Sequence, residues 1–407
     1  MLAEGYRTAG PISASGLAEN ARRYLLMSIA IRLLAVVLIV AVLWDCFEAM
    51  VLPRRVTRSY RPARLFYRLG WLTWQSLALR TRTGARRHHF LSIFGPLSIL
   101  ALFSTWIVCL IFGFALLHWS LGTPLQPLGS EASLTNYMYV SGETFFTLGY
   151  GDLTATSRLG RALCVLEAGV GFGFMAIVIG YLPVLYQAFS QRELTISLMD
   201  ARASSPPTAA QLLVRLSQCG GAESLNPLLI EWEQWAALVL ESHLSFPVLS
   251  YYRSQHDNQS WLSTLTTILD TCALLMTRVG GASNYQVQLT FAMARHTAVD
   301  LALNFKTPPL PLERDRLDAA QQARLVELLK GVGVEVTTDV EGERSLAELR
   351  QMYEPFVNAL AHFFRFDLPH IVAPQPTADN WQSSAWQRRT PGIGSLVPGG
   401  PIGEHFT

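Results

Sequence analysis

Three long apolar stretches constrain the fold of this chain more than any other feature. They cover about Leu25 to Met50, Phe90 to Leu117, and Ala162 to Phe189. A helix needs about 20 predominantly apolar residues to cross the hydrocarbon core of a bilayer, and each stretch is long enough. The composition agrees, since 50% of the 407 residues are hydrophobic and only 15% are charged. The sequence therefore predicts a multi-pass membrane protein.

The positive charges between the first two stretches predict the orientation of the chain. Ten arginines lie between residues 54 and 87. Arginine-rich loops stay on the cytoplasmic side of a membrane, so we expect the N-terminus outside and everything after about Gln191 inside the cell. The formal net charge of +2 argues against a dedicated nucleic-acid-binding protein.

The same loop holds a possible interfacial helix. Leu65 to Leu79 places Trp71 and Trp74 among apolar residues with flanking arginines. Such a segment either lies on the inner membrane surface or forms an ordinary soluble helix.

Four arginines in this loop recur at every third position, as in a voltage-sensor helix. The residues between them are polar and include Pro62, and no run of four apolar helices comes before them. We therefore expect the arginines to fix the topology or to contact anionic lipid headgroups. They are Arg55, Arg58, Arg61 and Arg64.

The most specific motif lies between the second and third stretches, where Glu143 to Asp152 has the sequence ETFFTLGYGD. Its Thr-x-Gly-Tyr-Gly-Asp core, Thr147 to Asp152, resembles the selectivity filter of potassium channels with a two-transmembrane-helix pore module. The resemblance covers roughly Phe90 to Phe189 and implies an outer helix, a pore helix from about Ser133 to Phe146, a filter and an inner helix. Ser133 or Thr135 would cap the pore helix.

The resemblance also implies how the filter binds its ion. Backbone carbonyls of Thr147, Leu148, Gly149 and Tyr150 would replace the hydration shell of K⁺, and the Thr147 hydroxyl would add the innermost oxygens. Gly149 and Gly151 would allow the unusual backbone conformations, and Asp152 would end the filter. One filter per chain implies four chains around one pore, a homotetramer.

Glu143 and Tyr139 are the predicted supports of the filter. By the resemblance, Glu143 and Asp152 form a carboxyl pair that shares a proton behind the filter. The alternative is that Glu143 only hydrogen-bonds to the backbone. The sequence departs from the family pattern at Tyr139 and Val140, where a tryptophan pair is common, and at Phe146, where threonine is usual.

The third stretch carries the predicted hinge and gate. Gly171 matches the hinge glycine of related inner helices, and Gly180 and Pro183 would add freedom near the cytoplasmic end. Close helix packing is the alternative role for Gly169, Gly171 and Gly173.

Glu167 and Arg32 lie inside apolar stretches, where an ionised side chain is costly in lipid. Glu167 is expected behind the pore helix, near Tyr137 or Tyr139. Arg32 can either face protein or extend to the membrane surface.

The predicted division of the chain has six parts, and the resemblance covers only one of them. Amphipathic patterns predict an α-helical cytoplasmic domain, and the Pro- and Gly-rich tail is expected to be disordered. The parts are an extramembrane segment (1–23), the first transmembrane helix (24–52), the arginine-rich loop (53–89), the pore module (90–190), the cytoplasmic helical domain (191–372) and the tail (373–407).

The expected function is passive potassium transport across the cell membrane, without catalysis or cofactor. A potassium transporter subunit is disfavoured, since such chains carry four pore loops and this chain has one. A pore fused to a cytoplasmic receptor or enzyme module stays open, with an unidentified ligand. Histidines and aspartates of the cytoplasmic part match no metal-binding motif.

Overall fold

The computed structural model describes residues 14–52, 62–80, 84–127, 133–204, 206–218, 221–254, 259–279 and 285–374. The predicted all-α fold is confirmed for these residues. The helices are α1 (Ala14–Met50), α2 (Pro62–Arg80), α3 (Ala85–Ser92), α4 (Phe94–Leu121), α5 (Leu134–Phe145), α6 (Arg158–Ala203), α7 (Ala209–Gln218), α8 (Gly221–Ser245), α9 (Trp261–Thr277), α10 (Tyr285–Phe305), α11 (Ala319–Gly331), α12 (Val340–Gln351) and α13 (Glu354–Phe364). A short 3₁₀ helix covers Pro247–Tyr251.

Three segments are long and apolar enough to cross a membrane. They are Arg22–Met50 in α1, Arg86–Leu121 ending with α4, and Arg158–Asp200 in α6. Each contains one of the stretches predicted from the sequence and extends beyond it. The α6 helix continues well past the expected end at Phe189.

The contacts divide the chain into two compact units. Unit 1 comprises Met1–Leu69 and Ser98–Pro183, and unit 2 comprises Gly70–Leu97 and Val184–Thr407. This division differs from the predicted boundaries at 89/90 and 190/191. Residues 70–97 pack with the helical unit because aromatic side chains of α2 and the start of α4 contact it, as for Trp71, whose ring lies 5.4 Å from that of Tyr251.

Unit 1 holds α1 antiparallel to α4. Ser28 donates a hydrogen bond to the Ser120 carbonyl (3.0 Å), and the Trp106 indole donates to Asp45 (3.0 Å). Between these contacts the helices approach closely, since a Cβ atom at Gly113 would lie 2.7 Å from the Ile39 side chain. The first spanning helix is therefore packed along the outer helix of the predicted pore.

Unit 2 is a helical bundle built around α9. Every residue of α9 from Trp261 to Leu275 is buried. The segment from Val340 to Phe364 is divided into two helices, α12 and α13. Pro355 explains the break, since proline fits the first turn of a helix but clashes in its interior.

Candidate ion-conduction site

The pore helix α5 is set by a side-chain cap at its start. Ser133 is the cap, and its hydroxyl accepts a hydrogen bond from the Asn136 amide at 3.3 Å. The buried face of α5 carries Tyr137, Val140, Ser141, Glu143 and Phe145. The helix is thus anchored on the side opposite its exposed residues.

Tyr137 fixes α5 against the end of α4. Its hydroxyl donates to the Thr123 carbonyl at 2.6 Å, and its ring belongs to a buried cluster with Ala115, Leu125 and Val140. The loop that follows α4 contains β1 (Leu125–Gln126). This strand pairs with β2 (Thr154–Ala155), which follows the predicted filter, in a two-stranded antiparallel sheet. Both ends of the filter segment are therefore attached to one small scaffold.

The backbone of the predicted filter, Thr147 to Asp152, alternates in handedness. Thr147, Gly149 and Gly151 have positive φ values of 56°, 66° and 76°, whereas Leu148 and Tyr150 between them do not. In an ordinary strand successive carbonyls point to opposite sides, whereas alternating right- and left-handed residues allow them to face one side. The left-handed region is open to glycine but strained for a β-branched residue such as Thr147.

Glu143 braces this backbone from behind. Its Oε1 accepts a hydrogen bond from the Gly151 amide at 2.9 Å, and its buried Oε2 has no partner within the described residues. The Tyr139 hydroxyl donates to both Asp152 carboxylate oxygens, at 3.0 and 3.1 Å. Of the two arrangements left open by the sequence, the structure has Glu143 bonded to backbone, while Asp152 is bonded to Tyr139.

The inner helix α6 packs directly behind α5. Glu167 is fully buried and accepts a hydrogen bond from Ser141 at 3.2 Å, so it faces the pore helix as expected, through Ser141 rather than Tyr137 or Tyr139. One turn later a Cβ atom at Gly171 would collide with the Phe145 carbonyl. In this conformation Gly171 is therefore required for close packing, the alternative to the predicted hinge.

The other predicted hinge and gate residues lie in an unbroken helix. Pro183 lies inside α6, and a Cβ atom at Gly180 would meet nothing within 4 Å. Gly169 and Gly173 are equally open. Close packing thus singles out Gly171 among these glycines.

Sequence reasoning did not find the contacts of the first spanning helix. Arg32 donates to the Ser120 carbonyl at 2.9 Å, which resolves its two predicted orientations in favour of protein contact. Asp45 accepts from Trp106 and from the Ala63 amide (3.3 Å). The available signal was the presence of these charges within an apolar stretch.

Residues 53–61 and 81–83 of the predicted arginine-rich loop lie outside the described residues. Arg54, Arg55, Arg58, Arg61 and Arg82 fall there, as do residues 1–13 and 375–407 of the predicted terminal segments. In unit 2, His296 lies 3.5 Å from Asp300 and Asp270 pairs with Arg316. No cluster in the described residues has three or more metal-ligating side chains.

The geometry agrees with the comparisons to known proteins. Residues 101–187, from α4 through the filter to α6, match the ion channel family. The chain is therefore an all-α membrane protein with an ion-channel pore domain.

A bacterial membrane protein is similar to this chain at low sequence identity. The chain is 26% identical over 199 residues to YdjJ, an uncharacterized membrane protein of Bacillus subtilis strain 168. The aligned region covers 48% of this chain and 57% of that protein, so the chain spans little more than half of its relative. No solved structure matches the chain.

Proposed function

We propose that the protein is a potassium-selective channel subunit that conducts K⁺ passively through a homotetrameric pore. The observation that carries the proposal is the filter backbone, with left-handed residues at Thr147, Gly149 and Gly151 and a brace from Glu143 to the Gly151 amide. An ion-channel pore domain with this backbone has the parts needed to line a pore with carbonyl oxygens.

The selectivity would arise from replacement of water by carbonyl oxygens. K⁺ entering the filter would exchange its hydration shell for carbonyls of Thr147, Leu148, Gly149 and Tyr150. Tyr139 and Glu143 would hold the outer part of the filter at Gly151 and Asp152. The C-terminal end of α5, with its partial negative charge, would favour a cation below the filter.

Four chains are proposed because one chain leaves its filter and inner helix uncovered. Leu148 is 55% exposed and Tyr150 is 72% exposed. Along α6, Val165, Phe172 and Ile179 are also largely exposed. Packing of identical subunits around a closed axis would cover some of these apolar side chains and close the ring of carbonyls.

The orientation is proposed from the arginine-rich loop. That loop would lie in the cytoplasm, which places the outer mouth of the filter outside the cell membrane and unit 2 inside. The α6 helix continues without a break to Ala203. Gly180 and Pro183 are the proposed points of bending for the gate.

Potassium flux into vesicles tests the conduction proposal. In proteoliposomes with a potassium gradient, the full chain is expected to pass K⁺ and exclude Na⁺. Gly149→Ala should lose selective flux because its φ of +66° disfavours any side chain, although the site has space for one. Gly142→Ala, also in open space but within α5, is the matched control and should conduct normally. Equal flux from both variants would contradict the filter assignment.

The assembly requires a separate measurement. Native mass spectrometry of the detergent-solubilised protein is expected to give the mass of four chains. A dimer or a monomer that still conducts K⁺ would contradict the tetrameric pore.

A further inference from the structure

The helix α2 presents a stripe of exposed leucines on one face. Residues 65, 69, 72, 76 and 79 are spaced by three or four positions, so they fall on one side of the helix. All are leucine except Ser76. The exposed fractions are 56% for Leu65, 53% for Leu69, 41% for Leu72 and 53% for Leu79.

The opposite face of α2 already has a partner. Trp71 is buried and its indole donates to the Phe363 carbonyl at 2.7 Å. Trp74 stacks on Phe90 with ring centroids 4.5 Å apart, and Ala78 is buried. Trp71 and Trp74 therefore pack against residues of unit 2, and the leucines are left on the outside.

Basic residues border the leucine stripe. Arg68 and Arg80 are exposed on either side of it, and Arg86 is exposed at the start of α3. No acidic residue occurs anywhere in α2. An exposed apolar stripe bordered only by positive charge is complementary to the surface of an anionic bilayer.

Chain connectivity keeps α2 close to the bilayer. The spanning segment of α1 ends at Met50, twelve residues before α2 begins at Pro62, and the next spanning segment begins at Arg86, six residues after Arg80. A short linker at each end thus ties α2 to a helix long and apolar enough to cross the membrane.

We propose that the leucine stripe of α2 docks on the cytoplasmic leaflet of the membrane and that Arg68 and Arg80 bind anionic phospholipid headgroups. The helix would then lie in the interface with leucines in the acyl boundary, while its tryptophan face holds unit 2. This surface does not depend on which ion the pore selects.

Fluorescence quenching on the full-length protein in vesicles tests the docking. An environment-sensitive fluorophore is attached to Leu72→Cys, with Leu69→Cys as a second stripe position and the unsubstituted protein as labelling background. We expect strong quenching by lipids with a nitroxide near the headgroup, weaker quenching by nitroxides at the acyl chain end, and protection from an aqueous quencher. Access to the aqueous quencher would overturn the proposal, and so would protection from both quenchers, which would indicate that protein covers the stripe.

Lipid composition tests the role of the arginines. Adding phosphatidylglycerol to phosphatidylcholine vesicles should increase lipid quenching of the stripe labels. Arg68→Gln with Arg80→Gln should raise several-fold the phosphatidylglycerol content needed for half of the effect. The matched control, Arg314→Gln with Arg344→Gln, removes two exposed arginines far along the chain and should change nothing. The same response to phosphatidylglycerol in both double variants would overturn the headgroup assignment.

Discussion

Unit 1 and unit 2 place their apolar side chains in opposite ways. In α1, Leu33 and Val37 are more than 60% exposed while Asp45 is buried. In α9, the whole run from Trp261 to Leu275 is buried. Lipid solvates apolar side chains as well as protein does, so burying them gains little in unit 1, whereas in water their burial dominates folding. The difference teaches that specific polar and close-packed contacts matter most in unit 1.

The polar contacts of the two units also differ. In unit 1, single hydrogen bonds join one segment of the chain to another, as between the Glu143 carboxylate and the Gly151 amide. In unit 2 they form a buried ion network, in which Asp270 accepts from Arg316 at 2.5 Å and from Tyr353 at 2.6 Å. Arg316 also pairs with Glu354 (3.1 Å). The network joins α9 and α13 with the loop before α11.

The largest expected effect is on this network. Asp270→Asn removes the charge that compensates Arg316, and we expect it to destabilise unit 2 by about 3–5 kcal/mol. Hydrogen exchange of α9 in the full protein measures this. Glu348→Gln, which breaks the exposed pair with Arg344, is the matched control and should cost less than about 0.5 kcal/mol. Similar exchange in both variants would contradict the importance of the buried network.

The next effect concerns close packing in unit 1. Gly171→Ala forces a Cβ atom into the Phe145 carbonyl, and we expect a loss of about 1–3 kcal/mol in stability together with loss of conduction. Gly169→Ala, in open space on the same helix, should be tolerated. If instead Gly171→Ala is as stable as Gly169→Ala and only gating changes, the hinge role is favoured over packing.

The stability of unit 2 should depend on pH through His243. Burial, together with the charge of Arg192, holds the pKa of His243 well below its ordinary value of 6.5. Its Nδ1 lies 2.7 Å from the Val239 carbonyl and its Nε2 faces Arg192 at 3.4 Å, an arrangement that suits the neutral ring. Because the unfolded chain binds this proton more readily, the stabilisation is present above pH about 6.5 and is lost as the pH falls toward the folded-state pKa.

The expected loss is at most about 1.4 kcal/mol for each pH unit. Hydrogen exchange of α8 between neutral and mildly acidic pH measures it, and His243→Gln should remove this part of the pH dependence. An unchanged pH profile in His243→Gln would contradict the assignment.

The smallest expected effect is shared by both units. Ser133 caps α5, and Asp318 caps α11 by accepting from the Gln321 amide while its own amide donates to the Gln321 side chain. Replacing either by alanine should cost about 1 kcal/mol in local helix stability. Hydrogen exchange near each helix start compares them. We expect Ser133→Ala to reduce conduction as well, because α5 precedes the proposed filter, whereas Asp318→Ala should leave conduction unchanged.

Features that depend on neighbouring residues could be predicted from the sequence, whereas contacts between residues far apart in the chain could not. The filter segment and the Ser133 cap are contiguous in sequence, so the pattern predicted the pore helix within one residue at each end. The buried face of α2 could not be predicted in this way, because the Trp71 indole donates to the Phe363 carbonyl, 292 positions away. Likewise, the partner of Glu167 was placed on the correct helix but not at Ser141. Long-range partners cannot be predicted from periodicity alone.

The reversal potential of the reconstituted channel under opposed potassium and sodium gradients distinguishes a potassium-selective pore from a nonselective one. We predict a value near the potassium equilibrium potential, with loss of selectivity in Gly149→Ala and retention in Gly142→Ala. A current that reverses near zero, with equal permeability to both ions in the unsubstituted protein, would contradict it.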